Sequence, residues 1–144
     1  MDTPKMNSHR LAAKDTTLLP AFLPVPGMGV LPVNAYVVHS EQPVLIDTGL
    51  PALREDFLME LQNVIDPREL RWICLTHSDP DHLGALESLL HLAPRAKVVT
   101  NYLGMGKLGM TLSLTPERVY LLNPGQRLDI GDRSLLAVRP PTYD

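Results

Sequence analysis

The stretch Thr76-His77-Ser78-Asp79-Pro80-Asp81-His82-Leu83-Gly84 (residues 76–84) holds the densest group of chemically active side chains in the sequence. Residues 72–76 before the first histidine are apolar without alternation, which is typical of a strand covered on both faces. A helical pattern of leucines begins at Leu83. The active side chains therefore follow the carboxyl end of a buried strand, where open α/β sheets bind their ligands.

Four residues of this stretch are candidate metal ligands, namely His77, Asp79, Asp81 and His82. Imidazole suits zinc, iron, copper and nickel, and added carboxylates favour iron, manganese or zinc. On an extended segment, His77 and Asp79 point to one side and can share a metal. Asp81 and His82, at the turn into the helix, can reach a second metal nearby. Two such ions can hold an oxyanion and lower the pKa of a bridging water.

Ordinary helix-start chemistry explains part of the same stretch. Asp79 suits an N-cap, Pro80 suits the first helical position, and Asp81 complements the helix dipole. This alternative accounts for the aspartates and the proline. It leaves the two flanking histidines without a role.

Length and composition limit the function classes. The 144 residues suffice for one domain, and 44% hydrophobic with 20% charged residues is globular composition. A net charge of −3 leaves no cationic excess to bind nucleic acid or an acidic membrane surface. The single cysteine, Cys74, excludes an internal disulfide and a cysteine-rich zinc site. We therefore expect a cytoplasmic protein acting on a small-molecule substrate.

The remaining sequence alternates predicted strands and helices. Residues 1–15 are predicted to be a disordered leader, and residues 16–144 the folded domain. The charge-free segment 16–40 does not suit a membrane-spanning helix because prolines and glycines interrupt it. Helices are predicted from Pro51 to Pro67 and from Leu83 to about Leu92. Strands are predicted at 34–39, 43–48, 72–76, 97–100, 118–122, 127–129 and 134–139, and this alternation indicates an α/β sheet.

Two motifs together resemble the metallo-β-lactamase superfamily. Residues 77–84 are similar to its signature His-x-His-x-Asp-His followed by x-Gly, and residues 44–49 (Val-Leu-Ile-Asp-Thr-Gly) match its upstream strand and turn. Asn34 also fits a common pattern. The resemblance covers about residues 16–144 and implies an αββα sandwich. It further implies that His77 and Asp79 bind one metal, that Asp81 and His82 bind a second, and that Asp47 supports the site from behind the ligands.

The sequence departs from the family pattern in two ways. Asp79 replaces the second histidine, and a carboxylate there resembles the di-iron, oxygen-binding branch, in which glutamate takes this place. The later ligand segments of the family have no counterpart, so the chain is predicted to be the first half of the sandwich. Residues 134–144 resemble the segment that delivers a third ligand; its histidine is absent, and Asp144 is the candidate substitute. A half-sandwich exposes an apolar sheet face, which a homodimer could cover.

The main functional prediction is a metal-dependent hydrolase with two divalent ions, zinc or iron. Metal-bound hydroxide would attack an ester, thioester, amide or phosphoester, and Asp81 would guide the proton of the water. One alternative is a di-iron oxygen-binding or redox protein, which Asp79 favours. The other is a catalytically inactive scaffold that binds a partner through its incomplete sheet.

Two further motifs carry less weight. Residues 104–109 spell G-x-G-x-x-G, the dinucleotide fingerprint, but no helical sequence follows, so loop glycines are the better interpretation and no cofactor-binding residue is predicted. Asp47-Thr48-Gly49 is also the active-site triplet of aspartic proteases, which pair two such aspartates. The helix predicted directly after it and the histidine cluster argue against a protease.

Overall fold

The computed structural model describes residues 3–141, which form one large mixed sheet, three helices and a separate hairpin. The strands of the large sheet are β1 (Lys5–Met6), β2 (Arg10–Ala13), β3 (Thr16–Val25), β4 (Gly29–Val38), β5 (Val44–Ile46), β6 (Trp72–Cys74), β7 (Lys97–Thr100) and β8 (Val119–Leu121). The hairpin consists of β9 (Arg127–Asp129) and β10 (Ser134–Leu136), and the helices are α1 (Arg54–Val64), α2 (Leu86–Leu92) and α3 (Tyr102–Gly109).

Sheet topology places the loops after β5 and β6 side by side. The strand order is β1-β3-β4-β5-β6-β7-β8, with β2 also paired to β3. Strands β3, β4 and β5 are antiparallel, whereas β5, β6, β7 and β8 are parallel, with Ile46 opposite Cys74. The carboxyl ends of β5 and β6 therefore lie at one edge. This arrangement confirms the predicted α/β sheet.

Two apolar layers stabilise the large sheet. On one face, buried residues of the three helices, including Phe57, Leu61 and Leu108, pack against sheet residues such as Leu45 and Ile73. On the other face, Leu128 and Ile130 from the hairpin segment pack against Val38, Val44 and Val99. The described residues thus supply a helical layer, the large sheet and part of a second sheet, which is the first half of an αββα sandwich. The hairpin of β9 and β10 therefore covers part of the apolar sheet face that a half-sandwich was predicted to expose.

The long hairpin of β3 and β4 extends well beyond the one strand, 34–39, that the sequence predicts in this segment. Ten residue pairs join the two strands, from Thr16 with Val38 to Val25 with Gly29. Pro20, Pro24 and Pro32 all fall in the same alternate set of pairs. In an antiparallel ladder, the amides of one alternate set point away from the partner strand, so a proline there removes no ladder hydrogen bond.

The prediction that residues 1–15 form a disordered leader is wrong for the described residues. Strands β1 and β2 both pair with the outer side of β3. The backbone and the ring of His9 also contact Glu60 of α1. Without these strands, β3 would expose a row of unpaired backbone groups. The edge of the sheet therefore orders a segment whose own composition gave no strand signal.

Helix boundaries differ from the sequence prediction around the glycine-rich motif. Residues 104–109 lie inside α3, so the interpretation as loop glycines is wrong. Asn101 caps this helix by accepting a hydrogen bond from the Gly104 amide at 2.7 Å, and such a cap offsets the poor helix propensity of glycine. Helix α2 begins at Leu86 rather than Leu83. Within the described residues, no helix combines the length and apolar character needed to cross a bilayer.

Candidate metal centre

The candidate metal centre lies where two neighbouring parallel strands end. Asp47 follows β5 directly, and residues 75–84 follow β6. We call residues 75–84 the ligand loop. The Asp47 amide donates a hydrogen bond to the Cys74 carbonyl at 2.9 Å, which joins the two strand ends. Polar groups from separate parts of the sequence are thereby brought to one edge of the sheet, as the sequence predicted.

Asp47 is the buried anchor of the centre. Its side chain is 4% exposed, and its backbone is left-handed with φ of 63°. Asp47 Oδ1 accepts a hydrogen bond from the Thr76 amide at 2.9 Å, and Oδ2 accepts one from the Thr76 hydroxyl at 2.6 Å. Oδ2 also lies 2.8 Å from Nδ1 of His82. One carboxylate therefore holds the beginning and the end of the ligand loop.

The contact with Asp47 fixes the ring of His82. A carboxylate can only accept hydrogen bonds, so the proton of the neutral imidazole lies on Nδ1 and the lone pair on Nε2 is free for a ligand. The same hydrogen bond raises the pKa of His82, with further contributions from the charges of Asp47, Asp81 and Asp79, while burial opposes the shift. Nε2 of His82 lies 3.4 Å from Oδ2 of Asp81.

Three of the four candidate ligands within residues 76–84 converge. One potential ligand atom each from His77, Asp81 and His82 lies within 4.8 Å of the other two. The rings of His77 and His82 meet edge to face, with centroids 4.2 Å apart. Their side chains are 28% and 17% exposed, and that of Asp81 is 32% exposed, so a ligand from solvent can reach the group. A set of imidazoles and carboxylates suits a transition metal.

Asp79 lies at the rim of this group. Its side chain is 55% exposed, and Oδ2 is 3.6 Å from Nδ1 of His77. Pro80, Asp81 and His82 form a single 3₁₀ turn for which Asp79 takes the N-cap position, but its side chain makes no capping hydrogen bond. The helix-start alternative therefore does not account for this carboxylate. The other candidate ligand, Asp144, lies outside the described residues.

Backbone contacts fix the second half of the ligand loop. The His82 carbonyl accepts hydrogen bonds from the amide and the hydroxyl of Thr48, both at 2.8 Å. The Gly84 amide donates to the Gly49 carbonyl at 2.8 Å, and Nε of Arg54 donates to the Gly84 carbonyl at 2.8 Å. A Cβ at Gly84 would lie 2.3 Å from the backbone of Leu50, so only glycine fits there.

A sequence model described as the metallo-beta-lactamase superfamily matches residues 28–139. The chain belongs to this superfamily. The match includes both motifs on which the resemblance rests, at residues 44–49 and 77–84.

Relatives and solved structures of this superfamily share the fold over most of the chain. Type A flavoprotein fprA of Rhodobacter capsulatus is 38% identical over 105 residues, covering 71% of this chain and 24% of the relative. Flavo-diiron protein FprA2 of Clostridium acetobutylicum is 31% identical over 103 residues, covering 72% and 26%. The structure of rubredoxin oxygen:oxidoreductase from Desulfovibrio gigas matches with a TM-score of 0.77 at 24% identity, covering 88% and 34%. The chain spans about a quarter of the length of the two curated relatives.

Three residues that hold the loop were not among the predicted site residues. Thr48 and Arg54 both bind backbone carbonyls of the loop, and Thr76 binds Asp47 through two groups. Thr48 belongs to the motif at residues 44–49 and Thr76 directly precedes the motif at residues 77–84, but neither motif indicates that these hydroxyl groups act as donors. Arg54 had no signal in the sequence, because its partner is a main-chain oxygen 30 residues away.

The two weaker motifs have structural explanations in this member of the superfamily. In α3, a Cβ at Gly104 would lie 2.0 Å from the hydroxyl oxygen of Thr100, so this glycine permits close packing of helix on strand. In the triplet Asp47-Thr48-Gly49, the side chains of Asp47 and Thr48 both form hydrogen bonds with residues of the ligand loop. A buried aspartate with these partners does not suit the shared pair of an aspartic protease.

Proposed function

We propose that this chain forms part of a di-iron oxidoreductase that reduces oxygen. The observation that carries the proposal is the convergence of His77, Asp81 and His82 at the sheet edge. The names of a relative and of a similar structure, a flavo-diiron protein and an oxygen oxidoreductase, support this alternative over the predicted hydrolase. Neither hydrolysis nor zinc has support from these names.

The donor chemistry of the centre fits iron. Two imidazoles and a carboxylate converge, and a second carboxylate, Asp79, lies beside His77. Mixed nitrogen and oxygen donors suit iron, whereas thiolates would favour copper(I), zinc or an iron–sulfur cluster. In this assignment, His77 and Asp79 hold the first ion, and Asp81 and His82 hold the second. When bound, the two irons would supply electrons to oxygen.

The protein's own residues have distinct tasks in this proposal. Asp47 keeps the proton of His82 on Nδ1 and so keeps Nε2 available as a ligand atom. Asp81 is the most exposed of the three converging side chains, so a carboxylate oxygen not bound to metal can accept a hydrogen bond from a molecule entering from solvent. Thr76 and the burial of Asp47 keep the anchoring carboxylate away from water. The hydrogen bonds of Asp47 therefore fix the direction of the ring before metal binds.

The test is a comparison of metals in the chain and in the double variant His77→Ala/His82→Ala. Each protein is purified without added metal, reconstituted under anaerobic conditions with equal iron(II) and zinc(II), and analysed for both elements. We expect the unmodified chain to retain iron and the double variant to lose it. The iron-loaded chain is then reduced, freed of reductant and exposed to oxygen or to nitric oxide, and the electrons consumed per iron are counted.

Each outcome distinguishes the candidate functions. Iron retention with electron transfer to oxygen supports the proposal, and a response to nitric oxide alone would replace oxygen as the substrate. Retention of zinc with esterase or thioesterase activity would contradict the proposal and restore the hydrolase prediction. Equal metal content in the unmodified chain and the double variant would contradict the proposal and favour the catalytically inactive scaffold.

A further inference from the structure

The His82 backbone is held as firmly as its ring. Thr48 is fully buried, and its amide and its hydroxyl both donate to the His82 carbonyl at 2.8 Å. The preceding residue, Asp47, binds the ring of the same histidine through Nδ1. Asp47 therefore holds the ring of this candidate ligand, and the next residue, Thr48, holds its backbone.

The left-handed backbone of Asp47 accounts for this double contact. Consecutive side chains of an extended strand point to opposite faces, so neighbours would not ordinarily reach the same residue. A φ of 63° at Asp47 ends this alternation directly after β5. Aspartate tolerates the left-handed region better than most residues do. The side chains of Asp47 and Thr48 can then both face the ligand loop.

Arg54 extends the same contact to the residues after His82. Its Nε donates to the Gly84 carbonyl at 2.8 Å, although the rest of the side chain is exposed. The Gly84 and Ala85 amides donate to the carbonyls of Gly49 and Thr48, at 2.8 and 3.1 Å. The His82 and Leu83 amides close the 3₁₀ turn, whereas the next two amides and the carbonyls of His82 and Gly84 bind the segment 48–54. This segment therefore fixes much of the path of residues 82–85.

We infer that Thr48 and Arg54 are positioning residues, which hold the backbone of His82 and Gly84 so that the imidazole of His82 joins the ligand group. The inference rests on the proposed metal site. Thr48 acts on the ligand residue itself and is buried, so its hydroxyl has the larger effect. Arg54 acts two residues further along from an exposed side chain, so its effect is smaller.

The first measurement is metal affinity, with cobalt(II) as the probe in competition with a chelator. Thr48→Val keeps the shape of the side chain and removes the donor, and we expect about tenfold weaker binding, the usual scale for groups that orient a ligand. Thr48→Ser retains the hydroxyl and should bind within about twofold of the unmodified chain. Arg54→Met keeps the apolar stem and should bind about threefold more weakly.

Arg118→Met is the matched control for general loss of stability. Arg118 also donates to backbone carbonyls, those of Leu90, Ala93 and Ala96, but at the carboxyl end of α2, away from the ligand loop. This variant should unfold at a lower urea concentration and bind cobalt as the unmodified chain does. Weaker binding in the control, to the same extent as in Thr48→Val, would overturn the inference because stability alone would then explain both.

Amide hydrogen exchange in the metal-free chain gives a second readout that does not depend on metal. We expect faster exchange at residues 82–85 in Thr48→Val than in Thr48→Ser, with unchanged exchange in β7. Equal exchange and equal affinity in these two variants would overturn the inference. Preference for zinc over iron would contradict the proposed function but leave the cobalt and exchange comparisons decisive for the positioning role.

Discussion

Oδ2 of Asp47 lies 2.8 Å from Nδ1 of His82, a contact between residues 35 positions apart. The buried carboxylate selects the tautomer of the ring and leaves the lone pair of Nε2 available to a metal. Because the same oxygen accepts the Thr76 hydroxyl, the residue before His77 and the last histidine of the motif share one partner. Asp47 therefore contacts both ends of the ligand loop, and we expect the conformation of the loop to depend on this residue.

Replacing Asp47 tests this dependence. Asp47→Asn retains a side chain that tolerates the left-handed backbone but replaces one acceptor oxygen with an amide donor. We expect metal affinity to fall by about 10- to 100-fold, as is usual when a group that orients a ligand is lost. Chelator competition measures this change. Affinity unchanged within error, in a variant whose circular dichroism is normal, would contradict the role.

The length of the side chain at position 79 is a second test. The Asp79 carboxylate stands at the rim of the ligand group, 55% exposed, and the di-iron branch that the motif resembles has glutamate there. We expect Asp79→Glu to raise iron affinity several-fold, because one more methylene extends the carboxylate toward the group. Asp79→Asn is the control and should lower affinity. Titration with iron(II) under anaerobic conditions compares the three proteins, and an unchanged affinity in both variants would remove Asp79 from the ligand set.

Gly84 tests how tightly the ligand loop packs on the residues after Asp47. A Cβ there would lie 2.3 Å from the carbonyl carbon of Leu50, and backbone cannot move aside as a flexible side chain can. We expect Gly84→Ala to lower the free energy of unfolding by about 2 to 3 kcal/mol, as overpacking typically does. Urea unfolding followed by circular dichroism measures this value.

Gly106→Ala is the control for Gly84→Ala. Gly106 lies inside α3, and a Cβ there meets no atom within 4 Å. Alanine is favoured over glycine in a helix by about 1 kcal/mol, so this variant should be more stable than the unmodified chain. The same stability for both alanine variants would show that Gly84 is not packed as described.

Arg118 is predicted to stabilise the fold without affecting the metal centre. Its guanidinium donates three hydrogen bonds, at 3.0 to 3.1 Å, to carbonyls around the carboxyl end of α2. Hydrogen bonds from a charged group each contribute roughly 1.5 to 3 kcal/mol, and water replaces part of this at a half-buried site. We expect Arg118→Ala to lower the unfolding free energy by about 2 kcal/mol. A urea midpoint equal to that of the unmodified chain would contradict the prediction.

Cys74 gives a prediction about pH. Burial, with a smaller contribution from the charge of Asp47, raises the pKa of the Cys74 thiol from 9.0 to about 12. The folded thiol therefore keeps its proton while the unfolded thiol loses it, so the contribution to stability is complete below pH 9 and is lost as the pH rises toward 12. Cys74→Ala should lack this part of the alkaline destabilisation.

Alkylation measures the same property directly. The thiolate is the reactive form, and the chain has one cysteine, so the rate of labelling reports on this position alone. We expect iodoacetamide at pH 8 to label Cys74 slowly in the native protein and rapidly in denaturant. Equal rates in the two conditions would mean that the thiol is neither buried nor raised in pKa.

Local sequence signals predicted the centre of the fold well and its edges poorly. Strands β5, β6 and β7 are short, mainly apolar runs and helix α1 has a helical periodicity, so their approximate positions followed from the residues. The pairing of β1 and β2 with β3 did not follow from the residues. These outer strands are ordered by hydrogen bonds to otherwise unpaired backbone groups of β3 rather than by a pattern of their own. Helix α3 was missed because the Asn101 cap outweighs the low propensity of three glycines.

The sequence by itself determined the superfamily, the α/β class and the set of candidate ligand side chains, since these depend on residue type and spacing within short segments. The tertiary structure decided which of those side chains converge, with His77, Asp81 and His82 together and Asp79 at the rim. It also decided how His82 is held, by Asp47 at the ring and Thr48 at the backbone. These contacts join residues about 35 positions apart, and only the pairing of β5 with β6 brings such distant residues together.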